Sequence, residues 1–195
     1  DILEAKGDFE QIKNIIDEAM KAGIERNIGH EYQEEQAIEE RYSEMARDVV
    51  PTPWNVINDL TQGGLAGGEL GVIVAPAGIG KTWILCALGA GSMKKGKNIV
   101  HYTLELNESY VGLRYDSVLT GIANQNLKYH IDDVKKSINK IDGELVVKYF
   151  PTKTASVHTL SAHLQKLRTL GKDFDMVVVD YGDILRDTSN SREVR

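Results

Sequence analysis

The run Ala75-Pro76-Ala77-Gly78-Ile79-Gly80-Lys81-Thr82 constrains this chain more than any other feature. An apolar, strand-like stretch, Leu70–Ala75, leads into it, and an apolar helical stretch, Trp83–Leu88, leads out. Strand, glycine-rich loop and helix in that order make a phosphate-binding loop. Gly78 and Gly80 free the backbone to curl so that successive N–H groups point into one cavity, which a β-carbon would crowd. The amino end of the following helix adds positive potential at the same point. Lys81 is then placed to reach β- and γ-phosphates, and the Thr82 hydroxyl to bind Mg²⁺. Ala75 stands where the strict pattern begins with Gly. The other reading of these residues is a Gly-rich turn followed by a chance Lys-Thr pair.

A length of 195 residues with 42% hydrophobic content suits one domain with an appendage, or one larger domain, with enough chain to bury a core. The single cysteine, Cys86, excludes an internal disulfide and fits a reducing compartment, and its apolar setting points to a buried structural thiol. No run is long enough to cross a bilayer, so no membrane partner is expected. The chain begins at Asp1, as a fragment of a longer protein would. Its charge is uneven: residues 1–50 hold 14 acidic and 6 basic side chains, and residues 51–195 hold 15 and 17. The acidic character therefore belongs to the leading segment. The nucleotide-binding part carries no bulk basic field, so any nucleic acid must be held by local contacts or by several subunits together.

Residues 1–50 read as an acidic helical arm and residues 51–195 as the main domain. Phe9, Ile12, Ile15, Ile16 and Met20 share one helical face before Gly23, and a second helix is expected from Glu31 to Val49, before Pro51 and Pro53. The first face either packs on its own domain or docks on a neighbouring subunit. Gln62–Gly68 reads as a turn or loop. Strands are expected over Asn98–Leu104, Leu145–Phe150 and Met176–Asp180. Helices are expected over Glu108–Ile122, near Ile131–Ile141, and through Val157, Leu160, Leu164, Leu167 and Leu170 up to Gly171. This alternation predicts an α/β fold: a mainly parallel sheet covered by helices on both faces.

A phosphate loop needs a metal partner, and Met176–Asp180 is an apolar strand ending in a carboxylate. Ligands bind beyond the carboxyl ends of such strands, which would bring Asp180 near Thr82 to hold Mg²⁺. Glu105 follows the strand before it and would lie at the same edge, with room for one water between its carboxylate and a γ-phosphate. The competing reading of Glu105 is a helix-capping residue just before Asn107.

Together, Ala75–Thr82, Tyr102-Thr-Leu-Glu105-Leu and Val177-Val-Val-Asp180-Tyr181 resemble the RecA-like ATPase domain of DnaB-type replicative helicases, phage members above all. The resemblance covers roughly residues 50–187 and implies a RecA-like P-loop NTPase core. It implies that Lys81 and Thr82 bind phosphate and Mg²⁺, that Glu105 activates water, and that Asp180 organises the metal. Arg114 falls where the family carries an Arg, and it is either structural or a nucleotide sensor, with a helix-surface salt bridge as the alternative. ATP and Mg²⁺ are the implied ligands, and the cytoplasm, the host's if the protein is phage-encoded, is the implied location. The implied assembly is a homo-hexamer on single-stranded DNA, with a primase or helicase loader as partner. Two departures stand out. Asp183 occupies a place where the family usually has Gln, and the chain stops at Arg195, where further strands carrying DNA-binding loops and an arginine finger are expected.

Two alternatives remain from the residues: a recombinase or clock-type relative, and a nucleotide-gated interaction module with little turnover. His158 and His163 lack a Cys/His set and do not suggest zinc. Trp54 and Tyr102 default to packing, and Lys94, Lys95 and Lys97 to a solvated helix end.

Overall fold

The computed structural model of the chain describes Glu10, residues 12–14, residues 32–43 and residues 47–187. The chain divides into two compact units, Asp1–Arg47 and Asp48–Arg195. In the first unit, Glu10 and residues 12–14 are helical, and α1 spans Glu35–Ser43. Phe9, Ile15, Ile16, Met20 and Gly23 lie outside the described residues, so the expected apolar face is not visible. The second expected helix is shorter than its pattern suggested. Val49–Val50 is instead a strand, β1, in the second unit, paired antiparallel with β2 (Leu65–Ala66) across a short helix, α2 (Asn55–Leu60). Gln62–Gly68 is therefore more than a loop. Val49 and Val50 are β-branched, and Pro51 follows, so the chain favours extension over helix there.

The second unit is built on three parallel strands in the order β4 (Leu145–Tyr149), β3 (Ile99–Thr103), β5 (Met176–Asp180). Register is fixed along the whole length, from Ile99 opposite Leu145 and Met176 to Thr103 opposite Tyr149 and Asp180. The central strand is buried at all five positions, as a parallel strand covered on both faces must be. Its alternating residues face two cores. Ile99 packs with Val178, with Cys86, Ala90 and Met93 of α3 (Lys81–Met93), and with Val111 and Tyr115 of α4 (Glu108–Thr120). Val100, Tyr102 and Leu104 pack on the other side with Leu160 and Leu167 of α6 (Val157–Thr169). Each fully buried aliphatic side chain contributes about 1.5–3 kcal/mol, which makes β3 the best-anchored element of the unit. A 3₁₀ turn (Asn124–Tyr129) and α5 (Ile131–Ile138) connect α4 to β4.

One expected strand is absent. Leu70–Ala75 has the apolar pattern of a strand, yet among the described residues it pairs with no strand. Leu70, Val72 and Val74 are 85%, 71% and 89% exposed. A strand exists only through its ladder. Here a cleft of about 660 Å³ separates this segment from the edge strand β5 and is lined by both. The strand–loop–helix reading thus holds for the loop and the helix, while the segment before them joins no sheet among the described residues.

Candidate nucleotide site

The loop from Ala75 to Gly80 ends at α3, whose N-cap is Gly80 with φ of 98°. Gly78 also has positive φ, 82°. An L-residue rarely adopts either conformation, so glycine is required by backbone geometry. Crowding plays no part in this state, because a β-carbon on Gly78 would meet nothing within 4 Å. Pro76, Ala77, Gly78 and Ile79 are exposed, and Gly80, Lys81 and Thr82 are half-buried. The loop is open to a ligand from solvent.

Lys81 Nζ donates to the Ala75 carbonyl at 2.8 Å, with the Pro76 carbonyl at 3.5 Å, and lies 5.7 Å from the centre of the Tyr181 ring. Its charge is therefore folded back onto its own loop, against two acceptors and an aromatic face that a phosphate would outcompete. Asp180 ends β5, is 3% exposed, and shares a cis peptide with Tyr181. Ala75, Lys81, Asp180, Tyr181 and Asp183 line the same cleft. Thr82, Glu105 and Arg114 do not line it. Among the described residues no group of three or more His, Cys, Asp or Glu could hold a metal alone. Asp180 offers a buried carboxylate to this cleft and Thr82 a hydroxyl outside its lining; both are oxygen donors of the kind that suits Mg²⁺, which takes few protein ligands and completes its shell with phosphate and water.

Glu105 lies just past β3 and is exposed. The preceding residue, Leu104, donates its N–H to the Asp180 carbonyl at 2.8 Å, so the two acidic residues leave adjacent strand ends. Glu105 does not cap α4. The Asn107 side chain does, accepting from the Tyr110 N–H at 3.0 Å. An Asn directly before a helical run was the available signal for that role. Glu108 accepts from the Tyr149 N–H at 3.1 Å and from Lys148 Nζ at 3.2 Å, and these bonds hold its carboxyl below the usual range. They tie the start of α4 to the end of β4.

Arg114 has no ion-pair partner among the described residues. Its guanidinium lies over the Trp83 ring, 5.4 Å from the centre, two residues beyond Lys81. Cys86 is fully buried, and burial pushes its thiol up to about 12, so it is an inert core group. His163 holds the Tyr102 hydroxyl at 2.9 Å through Nδ1, in an aromatic cluster with Phe150. No helix among the described residues is long and apolar enough to cross a membrane.

The family model for the DnaB-like helicase C terminal domain matches residues 49–195. The chain is 28% identical over 185 residues to the DnaB-like replicative helicase of Enterobacteria phage T4, covering 89% of this chain and 38% of that protein. Solved structures share the fold, among them two that superpose over most of this chain. One, described as an ATPase domain, superposes with a TM-score of 0.64 at 15% identity, over 80% of this chain and 60% of that one. The other, a DnaB-like replicative helicase described with its primase interactions, superposes with a TM-score of 0.63 at 16% identity, over 93% and 45%. The chain thus spans well under half of the phage relative's length.

Proposed function

Because the chain belongs to the DnaB-like helicase C-terminal domain family, we propose that it is the ATP-hydrolysing motor of a replicative DNA helicase. In this reading a ring of six subunits moves along single-stranded DNA and separates the duplex. The observation that best supports the chemistry is the shared cleft, lined both by Lys81 from the amino end of α3 and by Asp180 from the carboxyl end of β5.

The residues divide the work by their chemistry. The N–H groups of Ala77–Thr82 cradle the β-phosphate, with Gly78 and Gly80 supplying the backbone curl. Lys81 leaves the carbonyls of Ala75 and Pro76 for the β- and γ-phosphates. Thr82 and Asp180 hold Mg²⁺. When bound, that ion neutralises charge on the phosphate oxygens. Glu105 orients and deprotonates a water for in-line attack on the γ-phosphate, yielding ADP and inorganic phosphate. Arg114 braces Trp83 and, through it, the first turn of α3.

The single-stranded DNA contacts and an arginine finger would come from chain or subunits beyond the residues described. A primase or helicase loader is the proposed partner, on the analogy of the solved relative whose structure concerns primase interactions. The proposed location is the cytoplasm, that of the host if the gene is a phage one. The test uses the full-length protein, measuring Mg²⁺-dependent ATP hydrolysis and displacement of a labelled strand. Hydrolysis that single-stranded DNA stimulates, with strand displacement abolished by Lys81→Ala, is the expected result. Parental strand displacement by Lys81→Ala, or an absence of nucleotide turnover in the parent, would overturn the reading.

A further inference from the structure

We propose that Thr103 is the positioning residue for Glu105: its buried hydroxyl closes the turn that presents the Glu105 carboxylate to the nucleotide. This inference rests on the hydrolytic reading of Glu105 above.

Thr103 is the last residue of β3 and is fully buried. Its Oγ1 donates to the Leu106 carbonyl at 2.7 Å and accepts from the Leu106 N–H at 3.2 Å. One hydroxyl therefore satisfies both main-chain groups of the residue three positions on, folding Leu104–Leu106 into a turn with Glu105 at its middle. The other residues of the turn are fixed as well. Leu104 is fully buried, its N–H donates to the Asp180 carbonyl at 2.8 Å, and its carbonyl accepts from Thr152 Oγ1 at 3.1 Å. Asn107 is committed to capping α4 and Glu108 to the end of β4. Every neighbour of Glu105 is thus held, and Glu105 itself is exposed. A flexible carboxylate would hydrolyse ATP poorly, since misplacement of about 1 Å can cost on the order of 100-fold in rate.

The geometry also says which atom matters. Valine has the shape of threonine without the hydroxyl, so it would leave the Leu106 N–H and carbonyl without their shared partner while filling the same space. Serine keeps the hydroxyl and loses only a methyl group.

The experiment compares the full-length parent, Thr103→Val, Thr103→Ser, Glu105→Gln and the double variant Thr103→Val/Glu105→Gln. Single-stranded-DNA-stimulated ATP hydrolysis and binding of a fluorescent ATP analogue are measured. Thr103→Val should lower kcat by roughly 10- to 100-fold with nucleotide affinity unchanged, and Thr103→Ser should recover most of the rate. In the Glu105→Gln background the valine substitution should add almost nothing, because the group it positions is already gone. If Thr103→Val does not fold, Thr103→Ala and Thr103→Cys remove or weaken the same hydrogen bonds. Parental kcat in the hydroxyl-free variants, a parallel loss of nucleotide affinity, or an equal fold loss in both backgrounds would overturn the proposal. Failure of the hydrolytic reading looks different: Glu105→Gln would then turn over ATP like the parent, and the proposal would fall with it.

Discussion

Thr103 and Asp180 sit directly opposite one another at the carboxyl ends of adjacent parallel strands, and the next residue of β3, Leu104, donates to the Asp180 carbonyl at 2.8 Å. Directly paired residues project to the same face of a sheet. For Asp180 that is the face packed by α3, the helix that Lys81 and Thr82 begin. The backbone that carries Asp180 and the backbone that leads into Glu105 are therefore one hydrogen-bonded unit.

Asp180→Asn tests the metal role. Asparagine keeps the size and the backbone bond but loses the charge that suits a hard divalent cation. Outer-shell partners of a metal typically cost 10- to 100-fold on removal. Here hydrolysis should fall by about 100-fold or more, and a higher Mg²⁺ concentration should recover part of it. A magnesium titration of the ATPase rate checks this.

Lys81→Ala tests the loop. Among the described residues the Lys81 ammonium donates to the carbonyls of Ala75 and Pro76 and lies near the Tyr181 ring. Its loss should leave thermal stability almost unchanged. A charge-assisted hydrogen bond contributes about 1.5–3 kcal/mol, so ATP should bind roughly 10- to 100-fold more weakly. Calorimetric titration with a non-hydrolysable ATP analogue, alongside a melting curve, separates the two effects.

Much of the candidate site could be proposed from sequence because its signals are local. Gly78, Gly80, Lys81 and Thr82 declare themselves within one turn of chain, and the Met176–Asp180 strand is a continuous apolar run ending in a carboxylate. The amphipathic helix through Leu160 and Leu167 likewise carries its own period and its own cap at Ser156. What could not be read was pairing. Leu70–Ala75 has the composition of a strand, but whether a ladder forms depends on which backbone lies beside it, and no strand among the described residues pairs with it. Val49–Val50 shows the converse, since two residues at the end of a charged helical pattern become a strand by finding Leu65–Ala66. Thr103 and Asn107 escaped notice for another reason. Their functions lie in hydrogen bonds three residues along the chain, and a Thr or Asn beside an acidic residue draws the eye to the acid.

Two helical glycines should respond oppositely to alanine. A β-carbon on Gly89 would fall inside the contact shell of the Tyr115 hydroxyl, whose ring is buried between α3 and the sheet. Tyr115 also holds His101 at 2.9 Å, so it cannot yield freely. Gly89→Ala should destabilise by about 1–3 kcal/mol. Gly112, in the interior of α4, would place its β-carbon in open space. Gly112→Ala should stabilise by about 0.5–1 kcal/mol through helix propensity alone. Urea denaturation of both variants gives the two signs.

The buried pair of His101 and Tyr115 sets a pH dependence of stability. His101 is fully buried at the middle of β3, and its Nε2 is the one buried side-chain polar atom lacking a hydrogen-bond partner among the described residues. Burial pushes its imidazole down to about 4. The unfolded chain takes up that proton near the ordinary histidine value of about 6.5. Between these values the unfolded state binds more protons, so stability rises with pH. The contribution is complete above about 6.5, shrinks as pH falls, and is gone near 4, a total of about 3 kcal/mol. His163 is also lowered, first by burial, and adds to the slope in the same direction. Replacing both members of the pair, His101→Phe with Tyr115→Phe, removes the titrating group and leaves no single polar partner stranded. Denaturation curves from pH 4 to pH 7.5 should be steep for the parent and clearly shallower for the double variant; equal slopes would show that His101 is not the group that titrates.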